Sequence, residues 1–99
     1  MSDHWILEGK TPKKVDLMTW AKWFEKAERH VAKTEKDGVK VSTVFLGVDH
    51  SFGDGPPLLY ETMIFGGEHD QYQERFQDWD AAVAGHAIAC ALAGVPYGV

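Results

Sequence analysis

The chain holds a single cysteine, Cys90, so no internal disulfide can form, and a reducing compartment is the expectation. No apolar run approaches the roughly 20 residues that a bilayer-spanning helix needs. The opening MSDHWILEGK has no apolar core of the kind a secretory signal requires, which points to the cytoplasm. Positive charge is nearly absent beyond residue 40, where Arg75 stands alone against eight acids. No CxxC, HxH or HxxxH spacing occurs, so no metal site is expected, and nothing calls for a cofactor. The loop SFGDGPP lacks both the lysine and the strand–loop–helix setting of a phosphate-binding loop.

What is present suits one folded domain spanning residues 1–99. Hydrophobic residues make up 44% of the 99 positions and aromatics 12%, with four Trp, well above a disordered composition. Charge is split: residues 1–40 hold nine Lys and Arg against seven acids, and residues 41–99 carry a balance of −7. The acidic half argues against nucleic acid and for a protein partner with a basic surface.

The most strongly patterned stretch is Val39 to Gly67, VKVSTVFLGVDHSFGDGPPLLYETMIFGG. Two apolar, β-rich runs flank a Gly/Pro-rich loop, which predicts a central antiparallel hairpin over about 39–65. Val39, Val41, Thr43 and Phe45 should share one face, and Lys40, Ser42, Val44, Leu46 and Val48 the other. The second face turns apolar along its length, as in an interior strand covered on both sides. His4 to Glu8 is a short N-terminal strand, with Lys13 to Val15 able to return beside it. Asp16 suits an N-cap. Leu17, Trp20, Phe24, Ala27 and Val31 recur at helical spacing and predict a helix over about 17–36, stopped by Asp37-Gly38. Its opposite face would carry Lys22, Lys26, Arg29, Lys33 and Lys36 as a solvated basic stripe. A polar edge strand follows over about 71–76. Asp78 then caps a last helix over about 79–93, with Gly94 and Pro96 beyond it. The fold class is α+β: a three- to four-stranded antiparallel sheet with two packed helices.

The last helix is apolar on more than one side. Trp79, Ala82, Val83, His86, Cys90 and Ala93 form one stripe for the sheet. Ala81, Gly85, Ile88 and Leu92 form a second, which predicts a homodimer through this helix.

Chemistry-bearing residues are few. Asp49, His50 and Asp54 lie at the strand end and loop where ligand groups often sit. Glu61 interrupts an apolar run. With the loop centred it faces Leu46, where its carboxyl is desolvated unless a cation pairs with it. His86 follows a helical Gly85 on the sheet-facing stripe, as a core histidine bonded to a strand carbonyl or to Glu61. Asp49, His50, Asp54, Glu61 and His86 are thus the candidate ligand-binding set, for a nucleotide or metabolite. His50 with Asp49 or Glu61 is the weakest reading, a hydrolase. Cys90 has no positioned base. His50 and His69 lie at opposite ends of the hairpin and should not converge with His86 on a metal.

Three segments, WILEGKTPKKVDLMTWAKWFE, VSTVFLGVDHSFGDGPPLLYETMIFGG and YQERFQDWDAAVAGH, cover most of the chain, the middle one being the most specific. In these the chain resembles a family of small proteins encoded by tailed bacteriophages and prophages. The resemblance implies a phage protein working in the bacterial cytoplasm and carries no activity with it. The Ala-rich end, AIACALAGVPYGV, departs from the family pattern, so no oligomeric state carries over. The combined expectation is a non-enzymatic accessory protein that binds a macromolecular partner, inhibition of a host defence system being one case.

Overall fold

A computed structural model describes residues 4–49 and 55–96. The elements run β1 (His4–Glu8), β2 (Thr11–Val15), α1 (Leu17–Lys26), β3 (His30–Lys36), β4 (Val39–Phe45), β5 (Tyr60–Phe65), β6 (Gln73–Phe76) and α2 (Trp79–Ala93). β1 and β2 form a two-stranded sheet, and β3-β4-β5-β6 an antiparallel meander. The architecture is α+β, with β4 an interior strand.

Gly9-Lys10 turns β1 back onto β2, pairing Glu8 with Thr11. This hairpin hooks onto the end of the larger sheet, where Trp5 N–H donates to the Gly47 carbonyl at 2.9 Å. The Asp16 carboxylate accepts from Thr19 N–H at 2.7 Å and starts α1.

α1 ends at Lys26, ten residues short of the expected stop, because Ala27 is already extended (φ −76°, ψ 141°). Residues 30–36 form β3 instead, and the expected basic stripe does not exist. Lys22 and Lys26 stay on α1, while Lys33 and Lys36 sit on a strand. The physical reason lies in Asp37-Gly38. Both residues take positive φ (53° and 81°) as a two-residue hairpin turn, pairing Lys36 with Val39. The dipeptide that suggested a helix stop is also a strong hairpin signal.

Side chains alternate across the four-stranded sheet. Thr34, Val41, Thr43, Phe45, Tyr60, Thr62 and Ile64 are buried, on the face that α2 covers. Lys33, Glu35, Lys40, Ser42, Val44, Glu61, Met63, Phe65, Gln73 and Arg75 lie on the opposite face, half-buried or exposed. The later half of that second face is therefore only partly covered.

α2 has the expected limits. Asp78 accepts from Ala81 N–H at 2.8 Å, and Gly94 closes the helix at φ 75°. Ala82, Gly85, His86, Ala89 and Cys90 are buried against the sheet. Gly85 is required there, since a Cβ would come 2.0 Å from Phe76 Cζ. At the other end Trp23, Phe45, Tyr60 and Trp79 pack edge-on in series, with centroids 5.8, 5.3 and 6.4 Å apart. α1 has no fully buried residue and lies over this aromatic row.

Candidate functional site

The two chemically distinctive groups lie on opposite faces of the sheet. On the open face Glu61 pairs in register with Val44 and Arg75, not with Leu46. The loop is off-centre: Leu46 N–H already donates to the Leu59 carbonyl at 2.7 Å. Glu61 Oε2 accepts from Arg75 Nε at 3.1 Å and from the Gln73 amide. Its side chain is 15% exposed and that of Arg75 33%. The carboxylate that looked like a misfit is one half of a cross-strand ion pair.

On the covered face His86 is 1% exposed. Its Nε2 hydrogen-bonds Thr34 Oγ1 at 3.0 Å, and its Nδ1 bonds Thr43 Oγ1 at 2.8 Å. Thr43 Oγ1 continues to Thr62 Oγ1 at 2.6 Å. Burial holds the His86 pKa below the usual histidine value. It is a core histidine, as expected, but its partners are threonine hydroxyls from β3 and β4 rather than a carbonyl or Glu61. Helical spacing through Ala27 and Val31 hides Thr34, and the signal that reveals it is Asp37-Gly38, a two-residue hairpin turn that folds the preceding residues back as a strand.

The other candidates do not gather around either group. The Asp49 carboxylate accepts from Leu58 N–H at 3.0 Å and clamps the loop ends. His50 and Asp54 lie outside the described residues. Burial pushes the Cys90 thiol up, and a hydrogen bond with Thr34 partly offsets this. Tyr60 is fully buried, its hydroxyl without a partner among the described residues. Burial, and secondarily Asp78, push it up to about 12. Among the described residues no three His, Cys, Asp or Glu are placed to hold a metal ion. A shallow depression of about 320 Å³ lies beside Leu58, Gln73, Glu74 and Arg75.

The four residues expected to form an outward stripe on α2 divide. Gly85 is turned inward onto Phe76 and Ala81 is half-buried, whereas Ile88 is 64% exposed and Leu92 42%. α2 therefore keeps an apolar flank facing solvent, and Asp80 is its one charged residue. No described helix is long and apolar enough to cross a membrane.

This geometry is that of a small α+β module whose distinctive surfaces are a helix flank and an open sheet face. No family model matches the chain, and no curated protein or solved structure is significantly similar to it.

Proposed function

We infer that the protein is a non-enzymatic binding module that docks a partner protein through the outward flank of α2. The observation that carries this is the pair Ile88 and Leu92, 64% and 42% exposed on a helix with one charged residue. Full burial of a side chain of this size is worth about 1.5–3 kcal/mol, and a partner gains roughly half of that from each of these two. They stand at i and i+4, the spacing with which a helix enters an apolar groove.

A hydrolase built on His50, which lies outside the described residues, would draw its carboxylate from Asp49, engaged by a backbone amide, or from Glu61, held by Arg75. His86, a candidate ligand group, is sealed in the core. The balance of −7 over residues 41–99 favours a partner with a basic surface, such as a protein that itself binds nucleic acid. The resemblance to phage proteins supports an accessory role in the bacterial cytoplasm, with inhibition of a host defence component as one case. The sequence pattern by itself points to a second copy docking on the same flank. With Gly85 turned inward, that flank is better suited to a different protein.

The test is affinity capture with wild type and an Ile88→Lys/Leu92→Lys variant, with circular dichroism checking the fold. A protein bound by wild type should be held about a hundredfold more weakly by the variant. Equal capture by both would overturn the reading.

A small-ligand reading rests on the depression beside Arg75. A thermal shift with nucleotides that disappears in Arg75→Ala would favour it.

A further inference from the structure

β3 is an edge strand: β4 pairs with one side of it, and among the described residues no strand pairs with the other. Seven residues of unpaired edge are a ready template for another strand. Its outward groups can be assigned. Phe45 N–H donates to the Arg29 carbonyl on the β3 side, and Leu46 N–H to the Leu59 carbonyl on the β5 side. Alternation along β4 then directs Val41 and Thr43 toward β3, where they meet Thr34 and Ala32. Lys33 and Glu35 therefore aim their backbone N–H and C=O groups away from the sheet.

We propose that β3 pairs antiparallel with β3 of a second copy of this chain, about a two-fold axis at Thr34, joining the two sheets into one of eight strands. The side chains choose both occupant and register. A two-fold pairing that keeps each copy's faces aligned must set one residue against itself. Centring on Ala32 runs the pairing through the irregularity between His30 and Ala32, and centring on Glu35 leaves only residues 34–36 paired. Centring on Lys33 opposes two lysines, and centring on Glu35 opposes two glutamates. Centring on Thr34 places Lys33 opposite the partner copy's Glu35, and Glu35 opposite its Lys33. Each such pair falls at a position that exchanges two backbone hydrogen bonds. Within one copy Glu35 lies across from Lys40, so the dimer completes a row of alternating sign over the open face. Lys33 and Glu35 are exposed and free to pair.

The other edge lacks this complementarity. The same two-fold rule applied to β6 opposes Glu74 with Glu74 or Arg75 with Arg75. The β3 surface is also separate from the α2 flank. Gly85 faces Phe76 on β6, while His86 bonds Thr34 on β3. Ile88 and Leu92 follow Gly85 at i+3 and i+7 and so share its side of the helix, toward β6. A β3 dimer leaves both α2 flanks open.

Sedimentation velocity across a concentration series tests this. Wild type should dimerise reversibly. Lys33→Glu, which opposes glutamates twice in the dimer, should raise the dissociation constant about tenfold. The charge-swapped double variant Lys33→Glu/Glu35→Lys should restore it. Lys33→Pro removes only an outward N–H and should leave a folded monomer by circular dichroism. A wild type that stays monomeric throughout overturns the proposal. So does a dimer that survives Lys33→Glu but dissociates in Ile88→Lys.

Discussion

His86 shows how one side chain can bind three strands to a helix. Through Thr34 and Thr43 directly, and Thr62 at one remove, it ties β3, β4 and β5 to α2. Both ring nitrogens are engaged in a site that excludes water, so the neutral ring is the form that folds. The pKa is below its ordinary value in the folded state and near 6.5 in the unfolded chain. Stability from neutral His86 is therefore complete above about pH 6.5 and lost as pH falls below it, because the unfolded state takes the proton first. The urea midpoint of wild type should drop between about pH 7 and about pH 5, and His86→Gln should flatten that dependence. A wild-type midpoint constant over this range would refute the assignment.

Gly85 is the second residue whose identity is set by a contact. Alanine would stabilise an exposed helix by about 1 kcal/mol. Here its Cβ would stand 2.0 Å from Phe76 Cζ, so the ring must move. Overpacking of this kind costs about 1–3 kcal/mol. Gly85→Ala should be destabilised by about 1 kcal/mol net in denaturant titration.

At the scale of elements, β3 is the instructive case. Val31 continues the helical spacing set by Phe24 and Ala27, yet residues 30–36 also satisfy strand pairing. Pairing wins because Asp37-Gly38 adopts the hairpin turn at φ 53° and 81°, and because a strand here buries Thr34 against His86. Gly38→Ala should cost about 1 kcal/mol by forcing a Cβ into positive φ. Amide exchange in dilute, monomeric protein should protect Ala32 and Thr34 and leave Lys33 and Glu35 fast. A helix over these residues would protect all four.

At the scale of the molecule, the sheet has one face covered by α2 and one left open, with two edges of different character. β3 carries alternating charge, whereas β6 is short and opposes like charges on itself. The exposed Ile88 and Leu92 lie on the β6 side, away from the proposed β3 pairing. A dimer through β3 would therefore present two helix flanks at its far ends, and a partner with two sites would bind with gained avidity. Because Ile88 is 64% exposed, lysine there should change monomer stability by no more than about 0.5 kcal/mol in thermal or chemical melts.

Much of the framework was legible from residue order alone, because local chemistry decides it. Asp16 and Asp78 cap helices through amides three residues on. Gly94 ends α2 in the one conformation it tolerates better than other residues. Alternation along Val39–Phe45 separates a covered face from an open one. The limits of α2 and the α+β class follow from such signals. Three things needed the tertiary structure: the fate of residues 27–36, the register that gives Glu61 to Arg75, and the row linking Thr34, His86, Thr43 and Thr62. The first is a contest between two local signals, a helical spacing and a hairpin turn, and the other two are contacts across the sheet. Residues 34 and 86 have no local reason to meet, and only the sheet beneath α2 brings them within hydrogen-bonding distance.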